Sequence, residues 1–297
     1  MWRLKERAVR PDKRAVIKRL VVLLAIMILC ASVLLYGYIA YTRTGTIIPT
    51  AELFDGRPTF RFVDVGQGDC TLITYHGKAV LVDTGTTESR HKTADYVRLY
   101  APNIDYLIIT HPHEDHMGGA AELISKVNVK NLVMRDIIVE DSFFSETLET
   151  AGRRGTNVIR IDSPVEYDSG GIHIEILNVF DLDYDDLNDA SMVTKVTAGG
   201  TSVLLTGDAE KDEEAFLVSQ EGEKLSSDIL KLGHHGSNTS TGEDFLKAVS
   251  PEICVISCGR NNVFGHPAPI VLERIRNIGA EIYRTDKSGT IVLRGEK

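Results

Sequence analysis

Three histidines and two acidic residues within six positions limit the structures open to this chain more than any other feature. The segment reads His111-Pro112-His113-Glu114-Asp115-His116. It follows the apolar run 104–110, which predicts a buried strand, and precedes residues 117–123, which predict the start of a helix. Because side chains alternate along an extended segment, His111 and His113 point the same way, and Asp115 and His116 can address a second position nearby. Imidazole and carboxylate groups bind zinc, manganese and iron, so this loop predicts two metal ions about 3.5–4 Å apart.

Two further segments end a predicted strand on ligand-type side chains. Residues 203–208 form an apolar run that closes on Asp208, and residues 229–235 form another that closes on His234 and His235. A strand-end aspartate is more often a turn former, but a carboxylate able to bridge both ions is what the first loop lacks. One of the two histidines would complete a metal shell, and the other would contact the substrate or act as an acid.

The N-terminal residues predict a membrane anchor. Residues 20–42 contain no charged side chain, and about 20 apolar residues suffice to cross a bilayer. Eight basic residues precede this run, an asymmetry that keeps the N-terminus in the cytoplasm. A cleaved signal peptide is the rival interpretation, which the length of the run disfavours. The predicted organisation is a cytoplasmic tail at 1–19, a transmembrane helix at 20–42, a linker at 43–58 and an extracytoplasmic hydrolase domain at 59–297.

Charge divides the chain as sharply as hydropathy does. Residues 1–44 contain nine basic and two acidic residues, a net charge of +7, whereas the remainder contains 24 basic and 40 acidic residues, a net charge of −16. An acidic domain repels a phosphate backbone over most of its surface, which disfavours a long nucleic-acid track. A local site stays open, because metal ions dominate the field around them.

Beyond residue 58, strand-like runs alternate with helix-like runs. Early strand candidates include 60–65, 71–75 and 79–82, and late ones include 253–257 and 290–293. Both groups are partly meander-like, so a simple doubly wound sheet is not expected. Two packed sheets with helices outside fit this order better, which makes the fold class α/β.

Together these motifs resemble the metallo-β-lactamase superfamily, and most closely the branch that forms the C-terminal domain of the ComEC competence proteins. The resemblance covers about residues 60–293 and is carried by segments 62–69, 81–85, 111–116, 188–191, 207–208, 234–237, 262, 265–267 and 285–286. It implies an αββα sandwich with a metal site along one edge of the sheets. It also implies two divalent ions, zinc or else manganese. The implied ligands are His111, His113, Asp115, His116, Asp208 and His235.

Further residues are expected to surround the metals. The candidate catalytic residues are His234, His266, Asp69 and Asp115. Of these, His234 and His266 are expected to bind the substrate oxyanion or protonate the leaving group. The residues expected to buttress the ligands are Asp64, Asp69 and Asp83. The candidate substrate-binding residues are Asn188, Ser191, Ser237, Asn262 and His266.

Two positions depart from the superfamily pattern. A histidine ligand usually separates the first cluster from the Gly-Asp pair, whereas this chain has Asn188-Asp189-Ala190-Ser191 there, as the branch does. Asn188 or a water molecule would fill that place, so one metal is expected to be loosely held. Cys70 stands where the branch usually has serine.

These features predict a membrane-anchored, extracytoplasmic, dinuclear metal-dependent hydrolase. The resemblance favours phosphoester or phosphodiester substrates over β-lactams, either small or envelope phosphoesters or DNA. Two alternatives stay open. One is a β-lactamase- or lactonase-type hydrolase, and the other is a binding protein whose metal site is inactive.

Overall fold

The chain divides into two units, Met1–Glu52 and Leu53–Lys297. The structure is a computed structural model, and it describes residues 13–44, 56–178 and 187–296. The first unit contains helix α1, Lys13–Thr44. Part of the predicted tail (1–12) and part of the predicted linker (45–55) lie outside the described residues.

The predicted transmembrane helix at residues 20–42 falls within α1. A search of the described residues finds no helix whose length and apolar character suffice to cross a membrane. The structure therefore does not support this prediction.

Within its described residues, the second unit contains two sheets of seven strands each. The first sheet contains β1 (Thr59–Phe62), β2 (Thr71–Tyr75), β3 (Lys78–Val82), β4 (Asn103–Ile108), β5 (Asn128–Arg135), β6 (Asn157–Ile161) and β14 (Ile291–Arg294). Its spatial order is β14-β1-β2-β3-β4-β5-β6. Pairing is antiparallel from β14 to β3 and parallel from β3 to β6. This half-meander, half-parallel arrangement matches the expectation from the strand order.

The second sheet repeats that arrangement. It contains β7 (Val165–Ser169), β8 (Ile172–Ile176), β9 (Thr194–Ala198), β10 (Thr201–Leu205), β11 (Ile229–Lys231), β12 (Ile253–Ile256) and β13 (Glu281–Arg284). Its spatial order is β13-β12-β11-β10-β9-β8-β7. Pairing is parallel from β13 to β10 and antiparallel from β10 to β7.

Helices cover the outer face of each sheet. The helices that follow strands of the first sheet are α2 (Arg90–Tyr100), α3 (Glu114–Met117), α4 (Ala120–Lys126) and α5 (Ser142–Arg154). Those associated with the second sheet are α6 (Lys211–Glu221), α7 (Glu243–Val249), α8 (Pro269–Ile278) and α9 (Thr285–Ser288). Short 3₁₀ turns occupy Leu187–Ala190, Gly222–Leu225 and Gly233–Gly236.

Three apolar layers hold this architecture together. The central layer lies between the sheets and includes Phe60, Phe62, Ile174 and Val203. One outer layer joins the first sheet to α2, α4 and α5, and the other joins the second sheet to α6, α7 and α8. Successive side chains of a strand point to opposite faces of its sheet, so one strand can contribute to two layers. The residues of β8 accordingly alternate between buried and half-buried along the strand. The predicted fold, two packed sheets with helices outside, is confirmed.

Parallel pairing determines where polar side chains meet. Strands β3 and β4 of the first sheet run parallel, as do β10, β11 and β12 of the second. The carboxyl ends of parallel neighbours lie at one edge of a sheet, which is where ligand sites form in α/β proteins. The loops that follow these five strands carry the polar clusters described next.

Candidate metal centre

The loop of residues 111–116 leaves the carboxyl end of β4 and is tied to the loop after β3. Thr84 N donates to His116 O at 2.7 Å. Asp83 accepts hydrogen bonds from the backbone N and the Oγ1 of Thr110, both at 2.8 Å. Helix α3 starts at Glu114, so the loop changes from extended to helical between its second and third histidines. His113 therefore projects from extended chain and His116 from a helix.

The first ligand set consists of His111, His113 and Asp208, whose ligand atoms lie within 4.8 Å of one another. Nε2 of His111 lies 3.0 Å from Nδ1 of His113 and 3.8 Å from Oδ2 of Asp208. His111 is buried and His113 is half-buried. Three ligand atoms thus converge on one point beside β4.

The second ligand set consists of Asp115, His116, Asp208 and His235, whose ligand atoms also lie within 4.8 Å of one another. Nε2 of His116 lies 3.1 Å from Oδ1 of Asp208. Nε2 of His235 lies 3.1 Å from Oδ2 of Asp115 and 3.6 Å from Oδ2 of Asp208. Asp208 therefore belongs to both sets, as a bridging carboxylate would.

Unsatisfied polar atoms test whether these residues fit metal ions. Oδ1 of Asp208 and Nε2 of His116 are buried 3.1 Å apart, and neither has a hydrogen-bond partner among the described residues. Most buried polar atoms in proteins do have such a partner, and a divalent ion between these two would satisfy both. Imidazole nitrogens and carboxylate oxygens are also the donors that zinc and manganese accept. The two sets therefore fit a dinuclear metal site.

The imidazoles of the second set are oriented through their other ring nitrogen. Nδ1 of His116 lies 2.8 Å from Oδ2 of Asp83, and Nδ1 of His235 lies 3.0 Å from the carbonyl oxygen of Ser257. Both partners accept a hydrogen bond from Nδ1, so Nε2 is the nitrogen of each ring that would bind a metal ion after losing its proton. A histidine held in this way is the usual arrangement in metal sites.

The imidazole of His111 has different neighbours. Its Nδ1 lies 3.1 Å from Oγ1 of Thr110 and 3.3 Å from Oγ of Ser191. Oγ of Ser191 also accepts a hydrogen bond from the backbone N of Asp208 at 2.9 Å. Ser191 therefore connects His111 and Asp208, two of the three ligands in the first set.

Buried charges shift the pKa values of the ligands. Burial by itself lowers the pKa of His116, but the carboxylates of Asp208 and Asp83 raise it well above its ordinary value. Burial also opposes the charged form of His235, and Asp208 raises its pKa to about 10. By contrast, burial keeps the pKa of His111 well below its ordinary value. Metal binding would displace protons from the first two imidazoles and not from the third.

The two remaining predicted histidines lie beside the ligand sets. Nε2 of His234 is 4.0 Å from Oδ2 of Asp208, and its Nδ1 is 2.9 Å from Oε1 of Glu210. The ring of His266 lies 5.7 Å from that of His234 and 6.5 Å from that of His235. Neither ring belongs to a ligand set, so both are available to a substrate.

The backbone at residues 234–235 differs from the strand end predicted for the run 229–235. On a strand, two adjacent side chains would point in opposite directions. Instead both residues have left-handed backbones, with φ values of 47° and 55°, in the Gly233–Gly236 turn. The two ring centroids lie 6.2 Å apart, with the ring planes at 72° to each other. His235 enters the second ligand set, whereas His234 stays outside it.

Asp69 and Lys231 lie next to the second set, and Lys231 was not among the residues predicted from the sequence. Oδ1 of Asp69 is 3.6 Å from Nδ1 of His235, and its Oδ2 accepts a hydrogen bond from the ammonium of Lys231. Lys231 is buried on β11. The signal was present in the sequence, because Lys231 interrupts the apolar run 229–232, and a lysine is almost never buried without a partner.

Several predicted substrate-binding residues make contacts within the protein. Ser191 is fully buried, with Oγ 3.3 Å from Nδ1 of His111, and its contact with substrate stays a prediction. Oγ of Ser237 is 2.9 Å from Oγ1 of Thr239 within a turn. Asn262 donates to the carbonyl of His266 at 2.7 Å and accepts from its backbone N at 2.9 Å. These contacts shape loops around the centre.

Three further predicted positions are also placed by local contacts. Asp64 accepts a hydrogen bond from Gly66 N at 3.2 Å, and its backbone N donates to Oγ1 of Thr290 at 3.0 Å. Asn188 is half-buried, and its carbonyl accepts a hydrogen bond from Ser191 N at 2.9 Å. Cys70 is buried, and burial raises the pKa of its thiol well above the ordinary value. A metal role for Asn188 stays a prediction.

Comparisons with known proteins agree with this geometry. The chain is 31% identical over 251 residues to ComE operon protein 3 of Bacillus subtilis, covering 78% of this chain and 32% of that protein. It is 33% identical over 231 residues to the competence protein ComA of Neisseria gonorrhoeae, covering 77% of this chain and 31% of that one. The chain thus spans about a third of the length of these relatives.

A solved structure shares the fold. The metallo-beta-lactamase fold protein YhfI from Bacillus subtilis superposes with a TM-score of 0.56 at 14% identity, over 80% of this chain and all of that one. The sequence profile of the metallo-beta-lactamase superfamily matches residues 63–260, which include both ligand sets. By this match, the chain belongs to the metallo-beta-lactamase superfamily.

Proposed function

We propose that this protein is a dinuclear metal-dependent phosphodiesterase. The observation that carries the proposal is the membership of Asp208 in both ligand sets, which allows one carboxylate to bridge two ions. Two ions about 3.5–4 Å apart can stabilise the attacking and the leaving oxygen of an in-line displacement at phosphorus. The resemblance to the ComEC branch also favours phosphoesters over β-lactams.

The chain's own residues suit the leaving group and the substrate oxygens. When bound, the divalent ions supply positive charge, which stabilises a developing oxyanion and lowers the pKa of a bound water molecule. Glu210 holds Nδ1 of His234, which turns Nε2 toward Asp208. Once protonated, His234 can donate from Nε2 to the departing oxygen. Burial and the neighbouring histidines lower the pKa of His266, so it stays neutral near pH 7 and can contact a substrate oxygen.

The proposed substrate is a small or short phosphodiester. Residues 45–297 carry a net charge of −16, so each phosphate beyond the metal centre meets mostly repulsion. An envelope phosphoester satisfies this condition, and long nucleic acid does not. Catalytic efficiency that rises steeply with the length of single-stranded DNA, at fixed metal concentration and near-physiological salt, would contradict this part of the proposal.

We also propose that the hydrolase domain acts outside the cytoplasm, attached through residues 20–42. This proposal rests on sequence alone, namely the uncharged run and the basic residues before it. Protease added to intact cells should then remove the domain. Protection in intact cells with cleavage only after lysis would contradict it.

A substrate panel tests the activity. The full chain, loaded with zinc or manganese, would be assayed on bis(p-nitrophenyl) phosphate, p-nitrophenyl phosphate, a chromogenic cephalosporin and a chromogenic lactone. We expect turnover of the diester with little of the others. His113→Ala should abolish it, whereas His173→Ala, which alters a partly exposed histidine on β8, should not. Preferred turnover of the cephalosporin or lactone would identify the alternative hydrolase, and bound metal without any turnover would identify a binding protein.

A further inference from the structure

We propose that Lys231 is a positioning residue for the second ligand set, acting through Asp69. Lys231 is 2% exposed on β11, and its ammonium donates to Oδ2 of Asp69. Asp69 is itself 3% exposed. A lysine this deeply buried is costly unless it is paired, so its location calls for a specific role.

Asp69 contacts each residue that belongs to the second set alone. Its Oδ1 lies 3.6 Å from Nδ1 of His235, and its Oδ2 lies 3.9 Å from Nδ1 of His116. Its backbone N donates to the carbonyl of Asp115 at 3.0 Å. The carboxylate of Asp69 therefore lies next to two imidazole ligands of one metal position, and its backbone holds the third ligand residue, Asp115.

The first ligand set has no comparable connection. Among the described residues, the hydrogen bonds and ion pairs of Asp69 do not reach His111 or His113. The imidazole of His111 is held by Thr110 and Ser191 instead. Any change that acts through Asp69 should therefore alter metal affinity at the second position and leave affinity at the first nearly unchanged.

The ammonium of Lys231 keeps Asp69 in place by balancing its charge. Without it, the buried carboxylate of Asp69 would lose its ammonium partner, and breaking a buried pair in this way is strongly unfavourable. Asp69 would then no longer be held in its present position, with Oδ1 3.6 Å from Nδ1 of His235 and Oδ2 3.9 Å from Nδ1 of His116. Moving this negative group away from the two imidazoles weakens both as ligands.

Metal titration of the full chain tests this inference without any substrate. Lys231→Met keeps the length of the side chain and removes its charge. Zinc binding would be measured by competition with a chromophoric chelator, and cobalt(II) absorption would report the ligand geometry. We expect one of two binding steps to weaken about 10–100-fold, the range seen when outer-shell partners of metal ligands are removed, and the other to change less than about twofold.

Lys195→Met is the matched control. Lys195 lies on β9 of the same sheet, where its ammonium donates to the carbonyls of Lys224 and Ser226. The substitution removes the same charge without touching a ligand set. Both binding steps should stay unchanged in this variant.

A double variant, Lys231→Met with Asp69→Asn, separates positioning from folding. It removes both buried charges together, so it should fold even where Lys231→Met does not. We expect it to bind one metal tightly and the other weakly. Wild-type affinity at both positions in either variant, or equal weakening of both steps, would overturn the inference. A wild-type protein that binds one metal only would instead contradict the dinuclear site itself.

Discussion

The two ligand sets share one carboxylate but differ in what supports their imidazoles. Nδ1 of His111 faces the hydroxyls of Thr110 and Ser191, at 3.1 and 3.3 Å. Nδ1 of His116 faces the carboxylate of Asp83 at 2.8 Å. Charged acceptors make shorter and stronger hydrogen bonds than hydroxyls, and they make an imidazole a better ligand. We therefore expect the second position to bind metal more tightly than the first.

The sets also differ in how they are assembled. The first takes two of its three members from the loop after β4 and only Asp208 from the second sheet. The second takes ligands from the loops after β4, β10 and β11, and so from both sheets. Tight binding at the second position thus depends on how the sheets pack, whereas the pairing of His111 with His113 depends mainly on local chain geometry.

Asp208→Ala should have the largest effect, because it removes the residue that both sets share. We expect loss of both metals and a fall in diester turnover of about 10³-fold or more, since metal ions supply several kcal/mol of charge stabilisation. Bound metal and turnover would be measured with circular dichroism as a folding check. Asp212→Ala, at an exposed carboxylate on α6, is the control. Retention of two metals by Asp208→Ala would contradict the assignment of Asp208 to both ligand sets.

Glu214 should produce a pH effect that is independent of both sets. It is buried on α6 and accepts hydrogen bonds from the backbone N of Thr241 and of Gly242, yet burial raises its pKa to about 7. The folded protein therefore holds a proton that the unfolded chain releases near pH 4.5. The free energy of unfolding should fall by about 3 kcal/mol as pH rises from 4.5 through 7.

Glu214→Gln should flatten this pH dependence, as measured by urea unfolding at pH 5 and pH 8. Metal affinity at both positions should follow the wild-type pH profile. A variant that keeps the full wild-type difference in unfolding free energy would show that Glu214 does not carry the proton.

Asp83→Asn should lower metal affinity more at the second position than at the first. Asp83 has a φ of 59°, and asparagine tolerates this left-handed backbone. The variant loses the carboxylate that faces His116, so the second position should weaken about 10–100-fold. The first position should weaken less, through Thr110, which also contacts Asp83. Two-step metal titration would measure both, and a larger loss at the first position would reverse the assignment.

Ser191→Ala should have the smallest effect and should act on the first position. It removes a hydroxyl that contacts Nδ1 of His111 and the backbone N of Asp208. A hydrogen bond contributes about 1 kcal/mol, so we expect affinity at the first position to fall by about fivefold. The second position should stay within twofold. Equal weakening of both would show that Ser191 acts on Asp208 alone.

Much of the fold and of the ligand list could be predicted from the sequence. The loop 111–116 brings four ligand-type side chains together by chain connectivity alone, and the meander-like strand order predicts two sheets. The predicted ligands converge in two sets that share Asp208. Local patterns carry this information, because it depends on residues that are close in sequence.

Other features were decided only by the tertiary structure. Ser191 lies 80 residues from His111 along the chain, yet it is buried with its hydroxyl against that ligand. Lys231 lies 162 residues from Asp69, and its pairing depends on a strand of one sheet meeting a loop of the other. Local sequence patterns do not specify such contacts. They form when two sheets pack face to face and a buried charge, removed from water, must take the partner that packing provides.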